Sequence, residues 1–176
     1  MKKIFILSGI LCVGLWGASD VFAAQEGISM IQGTSSDSRI HGKLTLSETA
    51  DGGLHVQGRL VDVPPGEHGF HIHEFGSCED SGTAAGGHFN PKGVEHGLLM
   101  KHGFEKAHAG DLGNISAGED GVATIDVTVP GLTLDNGEYT VGGRAFIVHE
   151  KADDFGQPLG NAGGRIGCGP IILRGE

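Results

Sequence analysis

Leu54-His55-Val56-Gln57-Gly58-Arg59-Leu60-Val61 alternates apolar with polar or small residues along its whole length. Period two sends successive side chains to opposite faces, so the stretch predicts a strand with one face on a core and the other in water. The same alternation runs through Lys43-Leu44-Thr45-Leu46-Ser47, through Val122-Ala123-Thr124-Ile125-Asp126-Val127-Thr128-Val129, and from Tyr139 to Val148. Asp51-Gly52-Gly53, Pro64-Pro65-Gly66, Glu119-Asp120-Gly121 and Asp135-Asn136-Gly137 punctuate these runs. Gly and Asn tolerate positive φ, and Pro fixes φ near the value a turn needs. Short strands separated by turn formers, with no convincing amphipathic helix, predict an all-β antiparallel sandwich or barrel.

Two segments, Gly76 to Asn114 and Glu150 to Gly169, do not alternate and are rich in Gly, His and Asp. Irregular stretches of that length in a compact domain usually carry function. The chain has 33 glycines in 176 residues, more than twice the share of about 7% in an average protein, which argues against a helical bundle or coiled coil. Its length fits one ordinary domain. Twelve basic against 22 acidic residues give a net charge of -10, which disfavours nucleic acid and anionic lipid as partners, because both require neutralising cations.

Residues Met1 to Ala23 combine a basic start at Lys2 and Lys3, an apolar run from Ile4 to Ala18 and a small-residue exit at Val21-Phe22-Ala23. This pattern predicts a cleaved secretory signal over residues 1–23, leaving residues 24–176 as the mature domain. The apolar run is about fifteen residues, short of the roughly twenty a spanning helix needs, so no membrane contact is expected after cleavage. Removing Lys2, Lys3 and Asp20 takes the 12 basic and 22 acidic residues to 10 and 21, a net charge of -11. Cys12 and Trp16 leave with the signal. The expected destination is periplasmic or secreted, where two remaining thiols, Cys78 and Cys168, are expected to pair as a disulfide. Thiolate metal ligation is the alternative, and the close Cys-x-x-Cys spacing that would favour it is missing.

Ten histidines stand against one Tyr and one Trp. His71-Ile72-His73 lies on a predicted strand, which puts both imidazoles on one face and Ile72 on the core side. His88, His96, His102, His108 and Asp111 follow in the first irregular segment, and His149 ends the last alternating run. A set of imidazoles suits copper in both oxidation states, whereas three His and one Asp suit a closed zinc shell. His-Glu-x-x-His, Gly-x-Ser-x-Gly and phosphate-loop patterns are absent from the sequence, so hydrolysis lacks its usual supports.

Five stretches together resemble the copper-zinc superoxide dismutase family, in its bacterial form: Gly69-Phe70-His71-Ile72-His73-Glu74-Phe75-Gly76, Gly87-His88-Phe89-Asn90-Pro91, His108-Ala109-Gly110-Asp111-Leu112-Gly113-Asn114, Val148-His149-Glu150-Lys151-Ala152-Asp153-Asp154, and Gly160-Asn161-Ala162-Gly163-Gly164-Arg165-Ile166-Gly167-Cys168-Gly169. The resemblance runs from about residue 27 to 174. It implies a Greek-key antiparallel β-sandwich or barrel of about eight strands with two long functional loops. It further implies copper on His71, His73, His88 and His149, and zinc on His88, His108, Asp111 and one more histidine. His96 has the family-like spacing from His88; His102, in a Lys-His-Gly context, is the other choice, and His96 is preferred. His88 would bridge the two metals, and its freed nitrogen would store a proton when copper is reduced. Asp153 matches a carboxylate that hydrogen-bonds ligands of both metals. Arg165 matches an arginine that holds a small anion beside copper, and Cys78 with Cys168 matches the family disulfide.

The implied activity is dismutation of superoxide to dioxygen and hydrogen peroxide, with superoxide as the small-molecule partner and a homodimer compatible with the family. Arg165 and His88 carry the expected catalytic roles. Two alternatives are a copper-binding or copper-delivery module and a copper-only dismutase. His68 is expected to tie loops together, His41 and His55 to occupy ordinary strand positions, and the sequon Asn114-Ile115-Ser116 to be accidental.

Overall fold

The computed structural model describes residues 25–175, so the expected signal, with Cys12 and Trp16, lies outside the described residues. Eight antiparallel strands form a closed barrel: β1 (Glu26–Gly33), β2 (His41–Glu48), β3 (Gly53–Val61), β4 (Gly66–His73), β5 (Asp111–Ala117), β6 (Ala123–Pro130), β7 (Ala145–His149) and β8 (Arg165–Leu173). Around the barrel the order is β1-β2-β3-β6-β5-β4-β7-β8. The chain leaves β3 for β4 but β3 pairs with β6, and it leaves β6 for β7 but β7 lies between β4 and β8. These two crossings are the Greek-key connections. β5 and β6 share only the pair Ala117↔Ala123. The barrel is thinly closed at this one seam, whereas β1 pairs with β8 from Gly27↔Leu173 to Gly33↔Gly167, so of the sandwich and barrel expectations the closed barrel is the one observed.

The alternating strands form because their apolar set meets in one interior. Leu44, Leu46, Leu54, Val56 and Leu60 of β2 and β3 are fully buried with Ile72 of β4 and Phe146 of β7. Phe70 stacks on Phe146 with ring centroids 5.0 Å apart. At roughly 1.5–3 kcal/mol for each fully buried side chain of this size, this cluster is the main drive for closure. Glycine is obligatory where strands cross closely: a Cβ on Gly42 would stand 2.2 Å from the Arg59 carbonyl oxygen.

Three strands escape the alternation. In β1 the polar Ser29 is buried and donates to the Gly169 carbonyl at 2.9 Å, while Met30 is half exposed, so its pattern is inverted. β5 begins at Asp111 and β8 at Arg165, inside segments expected to be loops; small residues such as Gly113, Gly167 and Gly169 hide their pattern. The run expected from Tyr139 to Val148 shortens to β7, because Gly142-Gly143 turns the chain, with Gly143 at φ 78°. The first loop holds a 3-10 segment, Asp80–Ala85, and one α-helical turn, α1 (Leu99–His102).

Both long loops rise from the β4, β7 and β8 end. The first, residues 74–110, is tied back by the Cys78–Cys168 disulfide, which closes a separation of 90 residues onto β8. Replacing Cys168 by Ser is expected to lower the unfolding free energy by about 2–5 kcal/mol, measured by denaturant titration under oxidising conditions. Equal midpoints for the two proteins would contradict this.

Candidate metal centre

The site begins with β4. His71 pairs with Ile147 and His73 with Ala145 on β7, while Ile72 enters the core, so the strand presents both imidazoles to the same side. The first loop then folds back along β4: His88 bridges His73, Phe89 N–H donates to Ile72 C=O at 2.9 Å, and Ile72 N–H donates to Gly110 C=O at 2.9 Å. Gly110 must be glycine, since a Cβ would stand 2.0 Å from the Ile72 carbonyl oxygen. His149 ends β7 at a bulge and lies in register with Arg165 of β8. A tight turn presents His108 beside Asp111, with Asp111 N–H on the His108 carbonyl at 3.1 Å and His108 N–H on Asp111 Oδ2 at 2.9 Å.

Two buried donor groups result. One gathers His71, His73, His88 and His149; the other gathers His88, His96, His108 and Asp111, with the donor atoms of each group within 4.8 Å of one another. His88 belongs to both. Its Nδ1 lies 2.8 Å from Asp111 Oδ1, which leaves Nε2 as the ring's other nitrogen. His102 takes no part: it is exposed on α1 and its Nδ1 accepts the Leu98 N–H at 3.1 Å. Asp153 is buried between the groups, with Oδ2 2.9 Å from His71 Nε2 and both oxygens 3.0 Å from His96 Nε2. His68 ties loops, its ring nitrogens each 2.8 Å from the carbonyls of His149 and Pro64. His41 and His55 sit at the surface beside Asp62 and Asp126.

A cleft of about 330 Å³ opens onto His73, His88 and His149, walled by Pro158, Leu159 and Asn161, with Arg165 at its side. Arg165 is held by two loop carbonyls, Nη1 to Gly82 at 2.5 Å and Nη2 to Gly86 at 2.6 Å. Lys92 is paired with Glu105, and Lys101 lies exposed on α1. Among the described residues, Arg165 is the cation lining this cleft.

Burial controls protonation. Desolvation is the largest cause in each case and holds His73 down at about 2, His88 at about 4 and His149 at about 3, against an ordinary 6.5. These rings are neutral at neutral pH, the form a metal requires. Burial also pushes His96 downward, but Asp111 and Asp153 outweigh it and raise the group to about 9. Burial alone would raise both carboxyls; hydrogen bonds from their histidine partners win and hold Asp111 and Asp153 well below the usual carboxylate range.

The family model described as copper/zinc superoxide dismutase (SODC) matches residues 40–171. The chain belongs to the copper/zinc superoxide dismutase family. The solved structure of the clock protein EA4 is similar to it, at 37% identity and a TM-score of 0.75, covering 86% of this chain and 96% of that one. Copper/zinc superoxide dismutase membership implies copper and zinc, and the donors fit both. His71 Nδ1 and His96 Nδ1 are buried without a hydrogen-bond partner. His96 Nδ1 lies 3.0 Å from Asp111 Oδ2 yet is not aligned to bond it, as expected of two donors directed at a common cation. The four-imidazole group suits copper, and the three-imidazole, one-carboxylate group suits zinc.

Sequence reading missed the side chains that hold the loops from behind. Asn114 donates through Nδ2 to the Asp153 carbonyl at 2.9 Å and accepts the Asp153 N–H at 2.7 Å, so its amide is engaged in the fold and not displayed as a glycosylation acceptor. Gln157 makes the equivalent pair of bonds to His96. A single amide in a loop carries no periodic or motif signal.

The protonation pattern sets the acid response of metal-free protein. Groups with lowered values stabilise the fold above pH 6.5 and lose that contribution as pH falls toward about 4 and 3 for His88 and His149. His96, raised to about 9, stabilises below pH 6.5 and loses its contribution as pH rises through about 9. Chelated protein is therefore expected to melt highest near pH 6–7, falling by at least ~1 kcal/mol per pH unit between pH 6 and 4. A melting temperature that stayed flat across that acid range would be the contrary result.

Proposed function

We propose that the chain is an exported superoxide dismutase that converts superoxide to dioxygen and hydrogen peroxide. The observation that carries this reading is the sharing of His88 between two buried donor groups at the floor of a cleft flanked by Arg165. Copper on His71, His73, His88 and His149 would supply the Cu(II)/Cu(I) couple, and zinc on His88, His96, His108 and Asp111 a fixed charge.

The chain's own residues do the rest. Arg165 binds the anion, its guanidinium fixed by the Gly82 and Gly86 carbonyls so that it faces the cleft. With a mature net charge of -11, this local cation offsets the repulsion a superoxide anion meets on approach. His88 Nε2 would take up one proton from water and pass it to the forming peroxide, the second proton coming from solvent, while Nδ1 faces Asp111 and the zinc donors. Asp153 orients His71 in one group and His96 in the other, fixing which nitrogen of each ring is free. His108 and Asp111 gain a purpose only in a two-metal site, which favours this reading over a copper-only dismutase. A periplasmic or secreted destination is supported by the leader-like N-terminus and by the disulfide, a bond at home in oxidising compartments.

Elemental analysis of metal-loaded mature protein, paired with a superoxide assay, tests the proposal: copper, zinc and rapid turnover are expected. Metal uptake without turnover would favour the copper-binding or copper-delivery module instead. Arg165→Ala is expected to slow turnover roughly tenfold or more at low ionic strength and to flatten its salt dependence, with copper content unchanged. Identical low-salt kinetics would remove Arg165 from the anion-binding role.

A further inference from the structure

We infer that Gln157 is a positioning residue for the zinc group, acting by clamping the backbone of His96; the inference rests on the two-metal reading above. The Gln157 side chain accepts the His96 N–H through Oε1 at 3.1 Å and donates through Nε2 to the His96 carbonyl at 2.8 Å. Both polar backbone groups of one residue are thus satisfied by one side chain reaching from the second loop to the first.

The chemistry selects an amide. Glutamine offers a donor and an acceptor on one planar group; a carboxylate can only accept and an ammonium can only donate. Gln157 is exposed, so its side chain fills no core space and its removal leaves no cavity. It is also presented from a preformed turn: Asp154 N–H bonds the Gly160 carbonyl at 2.9 Å, Gly160 N–H bonds the Gly156 carbonyl at 2.7 Å, and Gly156 N–H bonds Asp154 Oδ1 at 2.8 Å.

His96 needs such an external hold. The segment from Gly97 to Ala107 separates it from His108 and detours through α1, and a longer loop costs more entropy to close onto a fixed geometry. The second loop grips His96 at three places. Asp153 bonds Nε2 at 3.0 Å, the Phe155 ring lies nearly parallel to the imidazole at 6.5 Å between centroids, and Gln157 takes the backbone. Asp153 also serves His71, so it cannot be altered without disturbing the copper group. Gln157 bonds only His96 among the proposed ligands, so it adjusts the zinc group alone.

The test compares wild-type protein with Gln157→Ala and Gln157→Glu, each loaded with both metals. Zinc release to a chelator is followed with a zinc-sensitive dye, and copper release in parallel by electron-spin resonance. Zinc is expected to leave both variants on the order of tenfold faster than wild type, with copper release unchanged. Zinc release at the wild-type rate from Gln157→Ala would overturn the assignment, and so would equal acceleration for both metals, which marks a general structural lesion. If wild-type protein took up no zinc at all, the two-metal reading itself would fail, a result separable from a failure at Gln157.

Discussion

One buried carboxylate connects the parts of this molecule. Asp153 lies in the second loop, yet its oxygens bond His71 from β4 and His96 from the first loop. Three segments far apart in the chain are thereby brought to one point. An ionised carboxylate without partners would be costly to bury, by several kcal/mol; here the histidines, the Phe155 N–H and the Asn114 amide bonds to its backbone satisfy the residue from several directions. The two donor groups are consequently parts of one polar network, sharing His88 and joined again behind it by Asp153.

The barrel supplies rigidity where that network needs it. β4 carries two of the histidines, β7 ends in a third, and β5 starts with Asp111. Only His88, His96 and His108 come from the first loop, and each is fixed by bonds to a strand, to Asp111 or to the second loop. The loops are long and irregular but are held at the site by the same residues that would hold metal. The disulfide adds a covalent anchor from the first loop to β8, the strand that begins with the cleft residue Arg165.

Much of this was legible in the chain. Strands β2, β3 and β6 follow from alternation because each has one wet face, and His71-Ile72-His73 follows from the same period. The eight residues from His71 to Asp153 follow from the family resemblance, and the fold brings them together. What stayed hidden has a physical reason. β1 buries a serine and exposes a methionine, β8 is built on glycines, and the Tyr139 to Arg144 stretch mimics a strand until two glycines turn it. The choice between His96 and His102 depended on the path of the first loop, which local patterns do not encode.

The two carbonyl contacts of Arg165 bear on how quickly the cleft can respond. A long cationic side chain at a surface ordinarily samples many rotamers, and catching an ion then costs about 0.5–1.5 kcal/mol in lost freedom. Here that freedom is already gone before anything arrives, because Gly82 and Gly86 hold the guanidinium's two terminal nitrogens. The head group is a fixed socket: an anion bound there would require little rearrangement of the side chain.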